Sequence, residues 1–344
     1  MFSLYTTEEN LIQMCLEAGF WFDIIRKLKC VYVTTSSNNE EWDVGNDVLS
    51  ALHRSGIMLE VNNELEKNIR KDHSNVYSLP NPVYLLDIEK EEAQKIEEEY
   101  GVICKPIAER NEMALTEPGW DINTSDKSKT QSWNFFLSGI KAPLNAIVIV
   151  DRYFFASEYK YKETIDVSLK NLKQILETLL PKKAKDENIA VTIVYDHSTI
   201  NVMNKCDKEY EKFKNLITEV NKVKKSISRP YAFSLELISL TDDCYHYEDT
   251  HDRFIISNYF IVNATHKIKA FQERDICTQI LYFNYLFSKG IKPGEKSSIP
   301  MITQEYVLSA IRESLLISKN EIQHGCNGQT SKIGEFSIKN RLLQ

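Results

Sequence analysis

The stretch of this sequence with the most chemical potential is residues 250–271, THDRFIISNYFIVNATHKIKAF. His251 and Arg253 stand two apart, and an extended strand sends alternate side chains to the same face. An imidazole beside a guanidinium suits a phosphate group. The imidazole can attack phosphorus or carry a proton, while the guanidinium fork grips two oxygens at once. Asn258 follows five residues later, near the end of the same apolar segment. His266 and Lys267 come next, placed either to line the same pocket or to face water.

The elements that must position these residues can be read from hydrophobic periodicity. Ala146-Ile147-Val148-Ile149-Val150 is a continuous apolar run, the pattern of a strand buried on both faces. A helix is expected over about 163–180, striped by Ile165, Leu169, Leu172, Ile175, Leu176 and Leu179, and stopped by Pro181 and the charged stretch after it. Ala190–Tyr195 reads as a second strand, Lys205–Ser226 as a second helix, and Ala232–Leu240 as a third strand. Crossovers of helical length predict a parallel sheet with right-handed connections. Strand-like segments follow at Arg253–Asn263 and Thr278–Ser288, then a helix over Gln304–Ser318.

With that frame in place the motif gains meaning. Phospholipase-D-type enzymes carry H-x-K-x4-D, and here His251, Arg253 and Asn258 spell H-x-R-x4-N. The chain resembles more closely the phospholipase-D-like domain at the C-terminus of MIT-domain proteins. That pattern is matched by His251, Asp252, Arg253, Ile255, Asn258 and Phe271. Its upstream strand, ending in an acidic residue and an aromatic, compares with Ile149-Val150-Asp151-Arg152-Tyr153. The resemblance spans about residues 141–290. Glycines expected near 263–267 are absent, Arg152 stands where proline is common, and no MIT helical domain precedes it.

The resemblance implies a domain that binds acidic phospholipid without turnover. Phospholipase-D-type catalysis draws one histidine as nucleophile and another as general acid from two repeats or two protomers. One such motif is present, so catalysis would need a homodimer bringing two His251 residues together. Arg253 in place of lysine keeps the phosphate grip, whereas Asn258 in place of aspartate weakens control of the histidine tautomer. Arg152, His266 and Lys267 are the further candidates for ligand binding.

The first 115 residues read as a smaller α/β domain. Its strands are expected at Val31–Thr35, Ile57–Val61, Val83–Ile88 and Val102–Cys104. Helices are expected around Leu11–Ala18, Val44–Arg54 and Glu89–Tyr100, with Gly101 as a C-cap. Trp42, Asp43 and Asp47 fit a solvated helix start better than a site. The polar stretch 116–140 is taken as a linker, 291–322 as a C-terminal helical segment, and 323–344 as a flexible tail.

Composition narrows the function classes. Formal net charge is −7, but residues 1–140 hold 13 Lys and Arg against 24 Asp and Glu, and the remainder 29 against 25. An anionic partner, phospholipid headgroup or nucleic acid, therefore prefers the second half. The acidic first domain suits a protein partner. The seven cysteines are scattered and form no CxxC pair, so neither a disulfide framework nor a zinc site is expected. Cys244, His246 and Asp243 are too irregularly spaced for a metal. No apolar run reaches the ~18 residues of a membrane span, and the N-terminus lacks a signal-peptide pattern, so a cytoplasmic protein is expected. The aromatic run 281–287 is explained by a strand packed on both faces more simply than by base stacking.

Three functional readings follow. The first is a phosphate-recognising module without efficient catalysis and without cofactor or metal. The second is a homodimeric, metal-independent nuclease or phosphodiesterase with His251 as nucleophile. The third is an interaction protein whose motif is vestigial.

Overall fold

The computed structural model describes residues 2–17, 19–35, 47–112, 114–125, 132–156, 165–185, 189–196, 209–240, 253–266, 268, 270–271, 279–288, 300–317, 322–324, 330–332 and 338–344. The chain divides into two compact units, Met1–Thr116 and Glu117–Gln344. It is of mixed α/β class, and each unit has its own sheet.

In the first unit the chain runs β1 (Ser3–Thr7), α1 (Glu8–Leu16), α2 (Phe20–Ile25), β2 (Cys30–Thr34), α3 (Asp47–Arg54), β3 (Met58–Val61), α4 (Leu65–Lys71), β4 (Pro82–Leu86), α5 (Lys90–Tyr100) and β5 (Ile103–Pro106). The sheet order is β3-β2-β1-β4-β5, and every pairing is parallel. The centre is β1, a strand the sequence pattern does not announce because its polar SLYTT lacks a long apolar run. Tyr5 anchors it from full burial, and its hydroxyl bonds Thr34 Oγ1 and accepts from the Glu66 amide at 3.2 Å. Gly101 takes the left-handed conformation at the end of α5, at φ 64°, where a side chain would be strained.

The second unit contains β6 (Trp120–Asn123), α6 (Trp133–Leu137), β7 (Ala146–Val150), α7 (Ile165–Leu179), β8 (Ile189–Tyr195), α8 (Glu209–Ser226), β9 (Phe233–Ser239), β10 (Arg253–Ser257), β11 (Phe260–Ala264), β12 (Ile280–Tyr285), α9 (Pro300–Ile317), β13 (Ile322–His324) and β14 (Thr330–Lys332). Among the described residues the sheet order is β14-β13-β9-β8-β7-β10-β11-β12-β6. The parallel block β7-β8-β9 is the one expected from the helical crossovers. Beyond β7 the sheet turns antiparallel.

Three sequence-based expectations change. The segment Arg253–Asn263 is a hairpin rather than one strand: it reverses at Asn258 and Tyr259 with no glycine or proline to mark the turn. The stretch taken as a linker carries β6 and α6. Trp120 stacks on Phe283 of β12 with centroids 3.9 Å apart, and the fully buried Trp133 donates to Asn171 Oδ1 at 2.8 Å. Residues 338–344, expected to form part of a loose tail, pack into the sheet. Asn340 is buried, and its amide donates to Ile147 O at 2.9 Å and Thr192 Oγ1 at 3.1 Å. Composition alone does not reveal these polar bonds of the tail.

Candidate functional site

Parallel α/β sheets build sites outside the carboxyl ends of their strands, where the strand order changes direction. In the second unit that place is the carboxyl end of β7, between the parallel β8 and the antiparallel β10. Apolar residues fill β7 and, Thr192 apart, β8, and each strand is followed by a buried aspartate, Asp151 and Asp196, each 1% exposed. A Val150-Asp151 and a Tyr195-Asp196 junction are visible in the sequence. The repeated apolar-strand-then-Asp signal could have located this edge.

Asp151 is the centre of the arrangement. Its Oδ1 accepts from Arg253 Nε at 3.1 Å and from the Tyr153 amide at 2.9 Å, while Oδ2 accepts from the Ile268 amide at 3.1 Å. Arg253 opens β10, whose neighbouring residue Phe254 lies opposite Val150, so antiparallel pairing delivers the guanidinium to the end of β7. Its side chain is buried, only 9% exposed. Removing either partner of such a pair leaves an uncompensated buried charge.

Arg152 forms a second, looser pair. Its Nε lies 3.3 Å from Asp196 Oδ2, and its side chain is 22% exposed. The ring of Tyr153 is shared by both guanidinium groups, with Cζ of Arg152 at 5.2 Å and Cζ of Arg253 at 5.6 Å from its centroid. Cations over an aromatic face are attracted by the ring quadrupole. Beside them Tyr195 is fully buried, and its hydroxyl has no hydrogen-bond partner among the described residues. Desolvation, with Asp196 adding to it, pushes this phenol well above the ordinary tyrosine range.

His266 lies at the same edge of the sheet. It is exposed, two residues beyond Ala264, which is the register partner of Arg253. Its amide donates to Gln279 Oε1 at 3.0 Å. Asn258 is elsewhere. It sits in the turn at the opposite end of β10, roughly 16 Å from Arg253 at the strand rise of ~3.3 Å per residue. There its Oδ1 accepts from the Asn145 and Ala146 amides at 3.0 and 2.9 Å. Asn258 thus has a backbone-anchoring role at the start of β7. His251, Lys267, Trp42, Asp43, Asp243, Cys244 and His246 lie outside the described residues; Asp47 stands in the first turn of α3.

The arrangement can orient two guanidinium forks at one sheet edge. Asp151 fixes the Arg253 fork by a hydrogen bond, and Asp196 lies at ion-pair distance from Arg152; the two carboxylates offset much of the arginine charge, so attraction at a distance is small. The aromatic run on β12 is core: Tyr282, Phe283, Tyr285 and Phe287 are all buried. No helix among the described residues is long and apolar enough to cross a membrane. No family model matches the chain, and no curated protein matches it.

Proposed function

We propose that the second unit recognises a phosphate group at the carboxyl ends of β7 and β8, as a phospholipase-D-like binding module without efficient turnover. The observation that carries this reading is the convergence of Arg152 and Arg253 on one tyrosine ring, at the switch in strand direction. Arginine matches phosphate oxygens with a planar, bidentate fork, and the buried Asp151 holds the Arg253 fork before any ligand arrives. A preoriented donor loses little entropy on binding. The H-x-R-x4-N pattern adds the family resemblance and occurs once, so histidine-based turnover would need a second copy of the chain.

Acidic-lipid vesicles and oligonucleotides supply the same phosphate chemistry. Both are tested against the full chain and its Arg152→Lys and Arg253→Lys variants, which keep a cation beside each aspartate but lose the fork. Binding is expected to weaken about tenfold in each variant, equivalent to ~1.4 kcal/mol. Unchanged binding by both variants would reject the site. Hydrolysis of a generic phosphodiester by the wild type but not by His251→Ala would replace the binding module with the dimeric phosphodiesterase.

A further inference from the structure

A buried tyrosine usually finds a partner for its hydroxyl, because a desolvated donor left alone is costly. Tyr195, the last residue of β8, departs from that rule. It is fully buried, and its hydroxyl has no hydrogen-bond partner among the described residues. Its ring meets the Phe155 ring edge-on, with centroids 5.1 Å apart, so packing fixes the ring while the polar end stays unsatisfied.

Strand register places this tyrosine beside the arginine edge. Phe254 of β10 and Val194 of β8 both lie opposite Val150 of β7. One position nearer the site stand Arg253, Asp151 and Tyr195, and the Asp151 amide still bonds the Val194 carbonyl at 3.1 Å. Side chains alternate along a strand, so these three leave one face of the sheet, on adjacent strands about 4.8 Å apart. Arg253 reaches Asp151 from one side, and Tyr195 flanks Asp151 on the other. The carboxylate accepts from Arg253 and from the Tyr153 and Ile268 amides, and the phenol makes no bond to it.

We propose that the Tyr195 hydroxyl is a further ligand-binding group of this edge, donating to an oxygen of the phosphate that Arg152 and Arg253 grip. The inference rests on the phosphate reading given above. A phosphate oxygen is the acceptor that the phenol lacks. Burial, with Asp196 adding to it, keeps the phenol protonated, so it stays a donor. The hydroxyl thus adds a directed bond, without adding charge, where Asp151 and Asp196 already offset the arginines. The alternative occupant is a buried water, which needs several polar partners of its own. The two occupants respond differently to loss of one oxygen atom.

Tyr195→Phe removes only that oxygen. Inorganic phosphate is titrated calorimetrically into the full chain and the variant, and thermal unfolding of both is followed without phosphate. The variant should bind phosphate about tenfold more weakly, the effect of one hydrogen bond to a charged group. Its phosphate-free unfolding temperature should hold or rise, since no protein partner is lost. Equal affinity would overturn the assignment, and a lower unfolding temperature beside it would mark a structural water. Where the variant unfolds early or fails to fold, the Tyr195 Cζ NMR resonance of the wild type decides. A shift that saturates with phosphate supports the assignment, and an unmoved resonance overturns it. The arginine variants separate the two claims. Equal binding by the wild type, Arg152→Lys and Arg253→Lys removes the phosphate site itself, as does a wild type that binds none. Weakened arginine variants beside a fully binding Tyr195→Phe remove the tyrosine alone.

Discussion

A buried guanidinium is tolerated only with a carboxylate and further hydrogen bonds around it, and Asp151 supplies the carboxylate for Arg253. The partner lies 102 residues away in sequence, so spacing within 250–271 could not reveal it. What was legible was the acidic end of the preceding strand, Val150-Asp151. The role of Asn258 was not legible, because a turn without glycine or proline hides inside an apolar run. Its carboxamide serves two buried backbone amides at once. Asn258→Ala should therefore lower unfolding free energy by about 1–3 kcal/mol, as expected when buried donors lose their acceptor. Phosphate affinity of the folded fraction should stay unchanged. Denaturant unfolding alongside ligand titration checks both halves of that expectation.

At the scale of elements, the strongly periodic segments were legible. The apolar run of β7 and the stripes of α7 and α8 are what a parallel α/β block demands. Legibility failed where polar bonds, rather than hydrophobic period, hold an element in place. The C-terminal residues 338–344 are the clearest case. Glu236 on β9 is buried, accepting from the Lys339 amide at 2.8 Å and the Thr192 hydroxyl at 3.1 Å. Desolvation outweighs these bonds and raises its carboxyl above the ordinary 4.5. A raised folded value means the native state holds this proton more tightly than the unfolded chain. The associated stability is therefore full below the ordinary value and is lost as pH rises through the folded one. Glu236→Gln removes that loss. Relative to the wild type, the variant should gain stability as pH climbs from the ordinary glutamate value toward neutrality, measured by urea unfolding at stepped pH. A constant difference between the two proteins across that range would contradict the burial account.

At the scale of the whole molecule, charge and chemistry separate. The acidic excess lies in residues 1–140, while the arginine edge belongs to the second unit. Sequence charge separated an acidic first part from a more basic remainder, but did not reveal that Arg253 would be held by the buried Asp151 or that Arg152 would lie beside the buried Asp196. Those outcomes depend on strand pairing that joins distant residues. The most direct test of phosphate recognition is to follow the arginine Nε–Hε NMR resonances of the full chain while inorganic phosphate is added. The account predicts saturable shifts at Arg152 and Arg253, with Arg70 and Arg312 unmoved. A titration that leaves both Arg152 and Arg253 unshifted at saturating phosphate would contradict it.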